Sequence, residues 1–380
     1  MSGATEDFDL AVVGAGICGL AHALAAARRG LKVVVLERDA QANGASIRNF
    51  GFVTVTGQQR GACWRRAMRS RDVWAELAPV AGIRVEHRGL AVAVRRPEAV
   101  GVLEAFRATE MGEGCELLTP GKARERFPML RGEGLLAVLA SPHELRVESR
   151  TAVPALARWL VAALGVTFRY QTLVRAVAPP VVETTRGTFR ATHCVVCPGD
   201  DFLGLYPERL AVYGLTRCKL HMLRLDEPAG LPRLTAAVMS DLGLVRYLGY
   251  AELPEAAALK ARLDAEQAEH LAHGVHLIVV QSEDGSLVVG DSHHYGQTPD
   301  PFGAAAVDGL ILDEFRHVVG GGPAAVSERW LGTYASAPDR LMLVDRPSRG
   351  TRLVVITSGT GASTSFAIAE EVIDELLAEA

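Results

Sequence analysis

The octapeptide VVGAGICG (12–19) constrains this chain more than any other stretch. Gly14, Gly16 and Gly19 stand in G-x-G-x-x-G spacing. Before them DLAVVGAG (9–16) reads as a buried parallel strand, and after them an Ala-rich run from Ile17 to Arg29 reads as a helix stopped by Gly30. The first glycine permits a tight turn, the second lets a pyrophosphate approach, and the third lets the helix pack on the strand. The helix start offers free N–H groups and a partial positive charge to phosphates. A second strand, LKVVVLERD (31–39), completes a βαβ unit and carries Glu37, 23 residues beyond Gly14. A carboxylate there accepts hydrogen bonds from ribose hydroxyls and repels a 2′-phosphate. The unit reads as a dinucleotide site, with NAD and FAD both open.

The remaining pattern is long and mixed. At 380 residues the chain has length for about two domains. Helices are expected near 59–78, with Trp64, Met68, Val73 and Leu77 apolar, and at 151–164, 255–273 and 304–319. Strands are expected at 165–177, 191–200 and 217–226, with a hairpin of 275–281 and 286–296 around EDGS. RLVVITSGTGASTSFAIAEEVIDELLAEA closes the chain as strand, Gly-rich turn and helix. Rossmann-like pieces at opposite ends predict an α/β fold: a discontinuous nucleotide domain (1–88, 145–215 and 326–380) with an inserted mixed β-sheet substrate domain (89–144 and 216–325).

Several classes are disfavoured. The formal net charge of −4 and the lack of a basic stripe argue against nucleic acid or an anionic membrane as main partner. The first 16 residues lack a basic n-region and a long apolar run, so no signal peptide is expected. The most apolar candidate span, 152–166, is interrupted by Arg158. Six cysteines are scattered, and Cys194 and Cys197 form a lone CxxC without a second pair. Two buried strand thiols in a reduced, cytoplasmic protein are expected there, rather than a zinc site. His270, His273 and His276 have metal-like spacing, but Gly274 breaks the helix between them and no carboxylates support a site, so no metal is expected. No G-x-S-x-G occurs, which removes one route to hydrolase chemistry.

The C-terminal TSGTGASTSF favours FAD, since a second Gly-rich helix start can aim backbone N–H groups at a flavin edge. With this segment placed, the chain resembles the D-amino-acid oxidase, glycine oxidase and sarcosine oxidase family of flavoenzymes. The resemblance rests on VVGAGICG, VVVLER, GASIRNFG (44–51), CVVCPGDD, SLVVGDS, ERWLGTYASAPD and SGTGASTSF. It implies tightly held FAD and hydride transfer from a carbon bearing an amine, with O2 or another acceptor reoxidising the flavin. The implied cofactor residues are Gly14, Gly16, Gly19, Glu37, Arg38, Ser46, Arg48, Asn49, Val174, Gly332, Gly359, Thr360, Gly361 and Ser363. Small residues at 44–46 would let the backbone come close, Arg48 and Asn49 would donate to the cofactor, and Phe50 and Phe52 would fill apolar space beside it. No Cys stands at 281–296 or near Trp330, so a thioether to the flavin is not expected.

Departures from that family narrow the substrate. Where amino-acid oxidases carry an Arg that clamps a carboxylate, this chain has Tyr334 within Gly332-Thr333-Tyr334-Ala335. Tyr cannot supply a cationic fork. Family strand Tyr-x-x-Pro is here Ile278-Val279-Val280-Gln281. The strings ASIRNFGF and GDSHHYG resemble a branch linked to aminophosphonate breakdown. That implies 2-aminoethylphosphonate or its N-methyl form, oxidised to an imine that hydrolyses to phosphonoacetaldehyde. Candidate donors to a tetrahedral phosphonate are Tyr334, His293, His294, Tyr295, Gln281, Arg217 and Lys219. A glycine or D-amino-acid oxidase, an NAD-dependent dehydrogenase and a non-catalytic flavin-binding protein are the rivals. No residue is singled out as general base.

Overall fold

The computed structural model describes residues 7–379. Residues 1–6, on which the leader expectation partly rests, lie outside the described residues. Two mixed sheets organise the chain. The first runs Met342–Ser348, Thr351–Ile356, Gly187–Val196, Asp7–Val13, Val33–Leu36, Thr167–Arg169, and a hairpin of Val174–Ala178 and Val181–Thr184 extends it from Gly187–Val196. The strands Asp7–Val13, Val33–Leu36, Gly187–Val196 and Thr351–Ile356 are parallel where they meet. The run VVVL of Val33–Leu36 and the LVVI that ends Thr351–Ile356 suit strands buried on both faces.

Four helices cover one face of this sheet: Ile17–Ala27, Ala62–Val80, Ser149–Leu164 and Gly361–Ala378. The helix Ala62–Val80 docks by its apolar stripe of Ala67, Val73, Trp74 and Leu77. Trp74 meets Phe366 edge-on at 5.2 Å and donates its indole N–H to the Ala362 carbonyl at 2.8 Å. Truncating such a buried Trp costs about 3–5 kcal/mol, so this contact fixes where the last helix begins. Arg66 and Arg69 pair with Glu371 and Glu370 on the rim of the same contact.

The second sheet runs His294–Gly296, Thr216–Leu225, Leu287–Gly290, Ile278–Gln281, Ala237–Ser240, Val85–Val94, Ala137–Val147, Phe52–Val53. The strand Val326–Ser336 pairs antiparallel with Thr216–Leu225 along nearly its whole length. Alternation decides its two faces. Cys218, Leu220 and Met222 pack with Phe50, Phe52 and Ile278, while Leu223 and Leu225 pack against the helix Ala305–Val318.

Three local expectations change. Val326–Ser336, drawn with the nucleotide domain, is a strand of the second sheet, because its alternating residues pair with Thr216–Leu225. The helix expected over 255–273 is two, Ala256–Glu266 and Ala268–Ala272, broken at Gln267 with φ −134° and ψ 40°. The hairpin closes only as Ile278–Gln281 on Leu287–Gly290. After Gly290 the chain leaves that pairing, and His294–Gly296 joins Thr216–Leu225 instead. Among the described residues no helix is long and apolar enough to cross a membrane.

Candidate active site

A cavity of about 850 Å³ runs along the carboxyl ends of the parallel strands and continues to the second sheet. Strand ends Val13, Leu36, Val196 and Ile356 form its floor. This is where ligands sit on open α/β sheets. Gly14, with φ +101°, turns the chain so tightly that a Cβ there would stand 2.6 Å from the Cys197 carbonyl. A Cβ on Gly16 would stand 2.9 Å from Ser46 Oγ, and one on Gly19 would strike the Gly14 carbonyl. Ser46 Oγ accepts from the Ile17 N–H at 2.9 Å, which ties the GASIRNFG loop to the glycine turn. Glu37 accepts from the Ala15 and Asp39 N–H groups. Arg38, bonded to Asp201 at 2.8 Å, and Val174 line the same end.

Two long helices point their N-termini into this one cavity. Neither Gly16, at the head of Ile17–Ala27, nor Thr360, at the head of Gly361–Ala378, caps its helix with a side chain. The cavity therefore has partial positive charge at two separate places. That suits a molecule with a diphosphate at one end and an electron-rich ring edge at the other, so the residues present fit FAD. Gly359 at φ +71° lets the Tyr334 ring approach to 3.0 Å of where its Cβ would be, and Gly361 and Ser363 also line the cavity. Gly332 gives room in the same way, since its Cβ would stand 3.1 Å from the Arg48 carbonyl, which Trp330 Nε1 also bonds. Arg48 lines the cavity, as do Phe50 and Phe52. Asn49 also lines it, yet its amide is tied within the loop: Nδ2 donates to Ala45, and Oδ1 accepts from Gly51 and Ser149.

Beyond Phe50 and Leu220 the cavity ends in a polar pocket of Arg246, Tyr247, His276, Asp291, His293, Tyr295 and Tyr334. Arg246 follows the short helical turn Asp241–Val245 and donates to the Tyr295 hydroxyl at 3.0 Å. Among the described residues no carboxylate lies within salt-bridge distance of it. Burial opposes its charge, but Tyr334, Tyr295 and the more distant Asp291 raise its pKa above the ordinary value. Burial raises the Tyr334 and Tyr295 phenols as well, so both remain protonated donors. His276 and His293 are pushed far below the usual imidazole range, chiefly by burial and then by Arg246, and are neutral. Asp291 is only 4% exposed, and burial pushes its carboxyl up to about 7 against the pull of Arg246. The Arg246 charge makes this trio of His276, Asp291 and His293 a poor seat for a divalent cation.

The structure separates the expected substrate donors. His293, Tyr295 and Tyr334 line the pocket. His294 does not: strand alternation turns it to the opposite face, where its Nε2 lies 3.0 Å from His273 Nδ1. Lys219, in register with His294, shares that face and bonds Asp300 at 2.9 Å. Arg217 also faces away and spends its guanidinium on the Asp200 and Gln297 carbonyls. Gln281, 1% exposed, bonds the Leu234 N–H and the Gly285 carbonyl on the far side of its strand from Ile278. Among the described residues, the cation of this pocket that has no carboxylate partner is instead Arg246, in a segment carrying no motif. A single Arg between YLGY and a Gly-Leu run has no periodic signal, so the sequence offered nothing to find it by. The three histidines likewise part company: His270 lies 4.0 Å from Asp313, His273 meets His294, and only His276 enters the pocket. Of the CxxC pair, Cys194 is buried in its strand, whereas Cys197 lies past the strand end and lines the cavity beside Cys18.

A glycine-turn cleft at parallel strand ends, opening onto a partly buried polar pocket on a second sheet, defines an oxidoreductase built around a dinucleotide cofactor. The chain belongs to the FAD dependent oxidoreductase family, whose profile matches residues 9–375. A curated relative, glycine oxidase of Geobacillus kaustophilus (strain HTA426), is 26% identical over 208 residues; the match spans 51% of this chain and 55% of that protein. The crystal structure of glycine oxidase from Geobacillus kaustophilus superposes with a TM-score of 0.75 at 21% identity, covering 98% of this chain and 95% of that one. L-proline dehydrogenase from P. horikoshii gives a TM-score of 0.77 at 18% identity, with 98% of this chain and 94% of that one covered. These likenesses establish a shared fold.

Proposed function

We propose that this chain oxidises a small amine carrying an acidic group, with 2-aminoethylphosphonate or its N-methyl form as the favoured substrate. Bound FAD supplies the two-electron acceptor for hydride leaving the amine-bearing carbon. The protein's part is to hold the amine against it and keep water out. The observation that carries the reading is Arg246: a half-buried cation at the end of the cofactor cleft that, among the described residues, bonds a phenol and has no carboxylate partner. Such a group is satisfied by an anion from outside the protein. Tyr295 and Tyr334 bring hydroxyls to the same pocket from separate strands, and several donors of this kind suit a tetrahedral phosphonate. Phe50, Phe52 and Leu220 form the apolar approach. The resulting imine hydrolyses in water.

A second reading keeps support from the same residue. Tyr334 in place of the family Arg supplies no cationic fork for a carboxylate. Arg246 supplies such a fork from another segment, so glycine or another small amino acid also fits the pocket. Glycine oxidase among the relatives favours it. Anaerobic addition of 2-aminoethylphosphonate, its N-methyl form, glycine and D-alanine to the yellow holoenzyme decides between them. Bleaching by the phosphonates alone is expected. Bleaching by glycine or D-alanine alone replaces the phosphonate with an amino acid.

A further inference from the structure

An amine can release hydride from its carbon only when its nitrogen is neutral, because the nitrogen lone pair stabilises the cation left behind. A small amine reaches the protein as an ammonium ion at neutral pH. On the amine-oxidation reading above, some group must take that proton. We propose that Asp291 is the acceptor: its Oδ1 takes the ammonium proton while Arg246 holds the acidic group of the same molecule.

The geometry supports this at several points. Asp291 stands directly after Gly290, where the chain leaves the hairpin, and lines the same pocket as Arg246. Its backbone is fixed by a reciprocal pair with His276, N–H to carbonyl in both directions. Its Oδ1 is buried and makes no hydrogen bond. A buried, unbonded carboxylate oxygen is costly unless a ligand completes it. The groups facing it are Arg246 and Tyr247 from the Asp241–Ala251 stretch, His276 and His293 flanking the hairpin, and Cys218 from Thr216–Leu225; Tyr295 and Tyr334 surround Arg246. His293 Nδ1 donates to the Gly274 carbonyl at 2.9 Å, so its Nε2 lone pair faces Asp291 Oδ2 at 3.8 Å. Neither imidazole can neutralise the carboxylate as a cation. A substrate ammonium can, and Arg246 in the same pocket as Asp291 then matches both ends of a zwitterion.

The step balances simply. The N–H bond of the ammonium breaks, an O–H bond forms at Asp291 Oδ1, the amine becomes neutral, and no electrons change hands. His276 Nδ1 lies 3.2 Å from Oδ1, and burial together with Arg246 keeps that imidazole neutral, so the proton stays on Asp291.

The test is anaerobic rapid mixing of holoenzyme with 2-aminoethylphosphonate, and separately with glycine, across about two pH units on either side of neutrality. Wild type should show flavin reduction that speeds up with pH along a limb centred near 7. Asp291→Asn should lose the limb and slow by about 10²–10⁴-fold while keeping its FAD absorbance. Infrared titration of the same samples should show a protonated carboxyl band near neutral pH in wild type that the Asn variant lacks. Asp291→Glu, which keeps a carboxyl group, should recover part of the rate and move the midpoint. An Asn variant that keeps limb and rate overturns the assignment to Asp291. So does a Glu variant with an unmoved midpoint, should the Asn variant fail to hold FAD. A wild type bleached by neither amine fails differently: it removes the amine reading, and with it the proton's source.

Discussion

The two ends of the long cavity are built by opposite means. At the strand ends of the first sheet, binding surface is made from backbone: Gly14, Gly16, Gly359 and Gly361 clear space, and two helix starts supply N–H groups. At the second sheet, binding surface is made from side chains of four separated segments: Arg246, His276, Asp291 with His293 and Tyr295, and Tyr334. A backbone site depends on a short contiguous motif. A side-chain site depends on which way each strand faces, and one residue of register exchanges its members.

The contrast makes the first end the easier to destroy. Gly16→Val should push Ser46 and the loop behind it out of place, since even a Cβ stands 2.9 Å from Ser46 Oγ. FAD affinity should fall by roughly a hundredfold or more, about 2.7 kcal/mol, read as loss of yellow colour on gel filtration with far-UV circular dichroism unchanged. Full flavin content in that variant would break the backbone account of this end.

The second end should lose catalysis without losing flavin. Arg246→Met is expected to lower kcat/KM for the anionic amine by about a hundredfold, as for loss of a charge-assisted bond. Its visible spectrum should stay that of wild type. Tyr334→Phe should raise KM by roughly tenfold or less with a smaller change in kcat, measured under the same steady-state conditions. At the bottom of the scale, His294→Gln and Lys219→Met should leave kcat/KM within about twofold, because both side chains lie on the face turned from the pocket. A large kinetic loss in either would place that side chain on the pocket face of its strand.

Legibility in the sequence follows the same division. VVGAGICG and SGTGASTSF pointed to the cofactor end because a glycine's job is local: it clears space for its own backbone. Every glycine expected there lies against the cavity. GASIRNFGF was read as lying near the cofactor, and its Ser46, Arg48, Phe50 and Phe52 line the cavity too, although Asn49 spends its amide inside the loop. The other end was legible only in part. GDSHHYG drew attention to the right turn, but its order of inward and outward residues depends on the break after Gly290 and on pairing with Thr216–Leu225. Arg217 and Lys219 are candidates by charge alone, and alternation sends both outward while Cys218 and Leu220 face in. Arg246 carries no sequence signal of its own, and Asp291, although inside GDSHHYG, is not distinguished there from its neighbours. Their meaning comes from burial and from the partners each lacks.

The claim that an anionic substrate group ends at Arg246 while FAD occupies the glycine cleft is tested most directly with a ligand that cannot react. Ethylphosphonate has the acidic group and no amine. Its titration into holoenzyme should perturb the flavin spectrum with saturation, and Arg246→Met should weaken that binding by about a hundredfold with the flavin still bound. Equal affinity in wild type and variant would contradict the account and place the anion elsewhere.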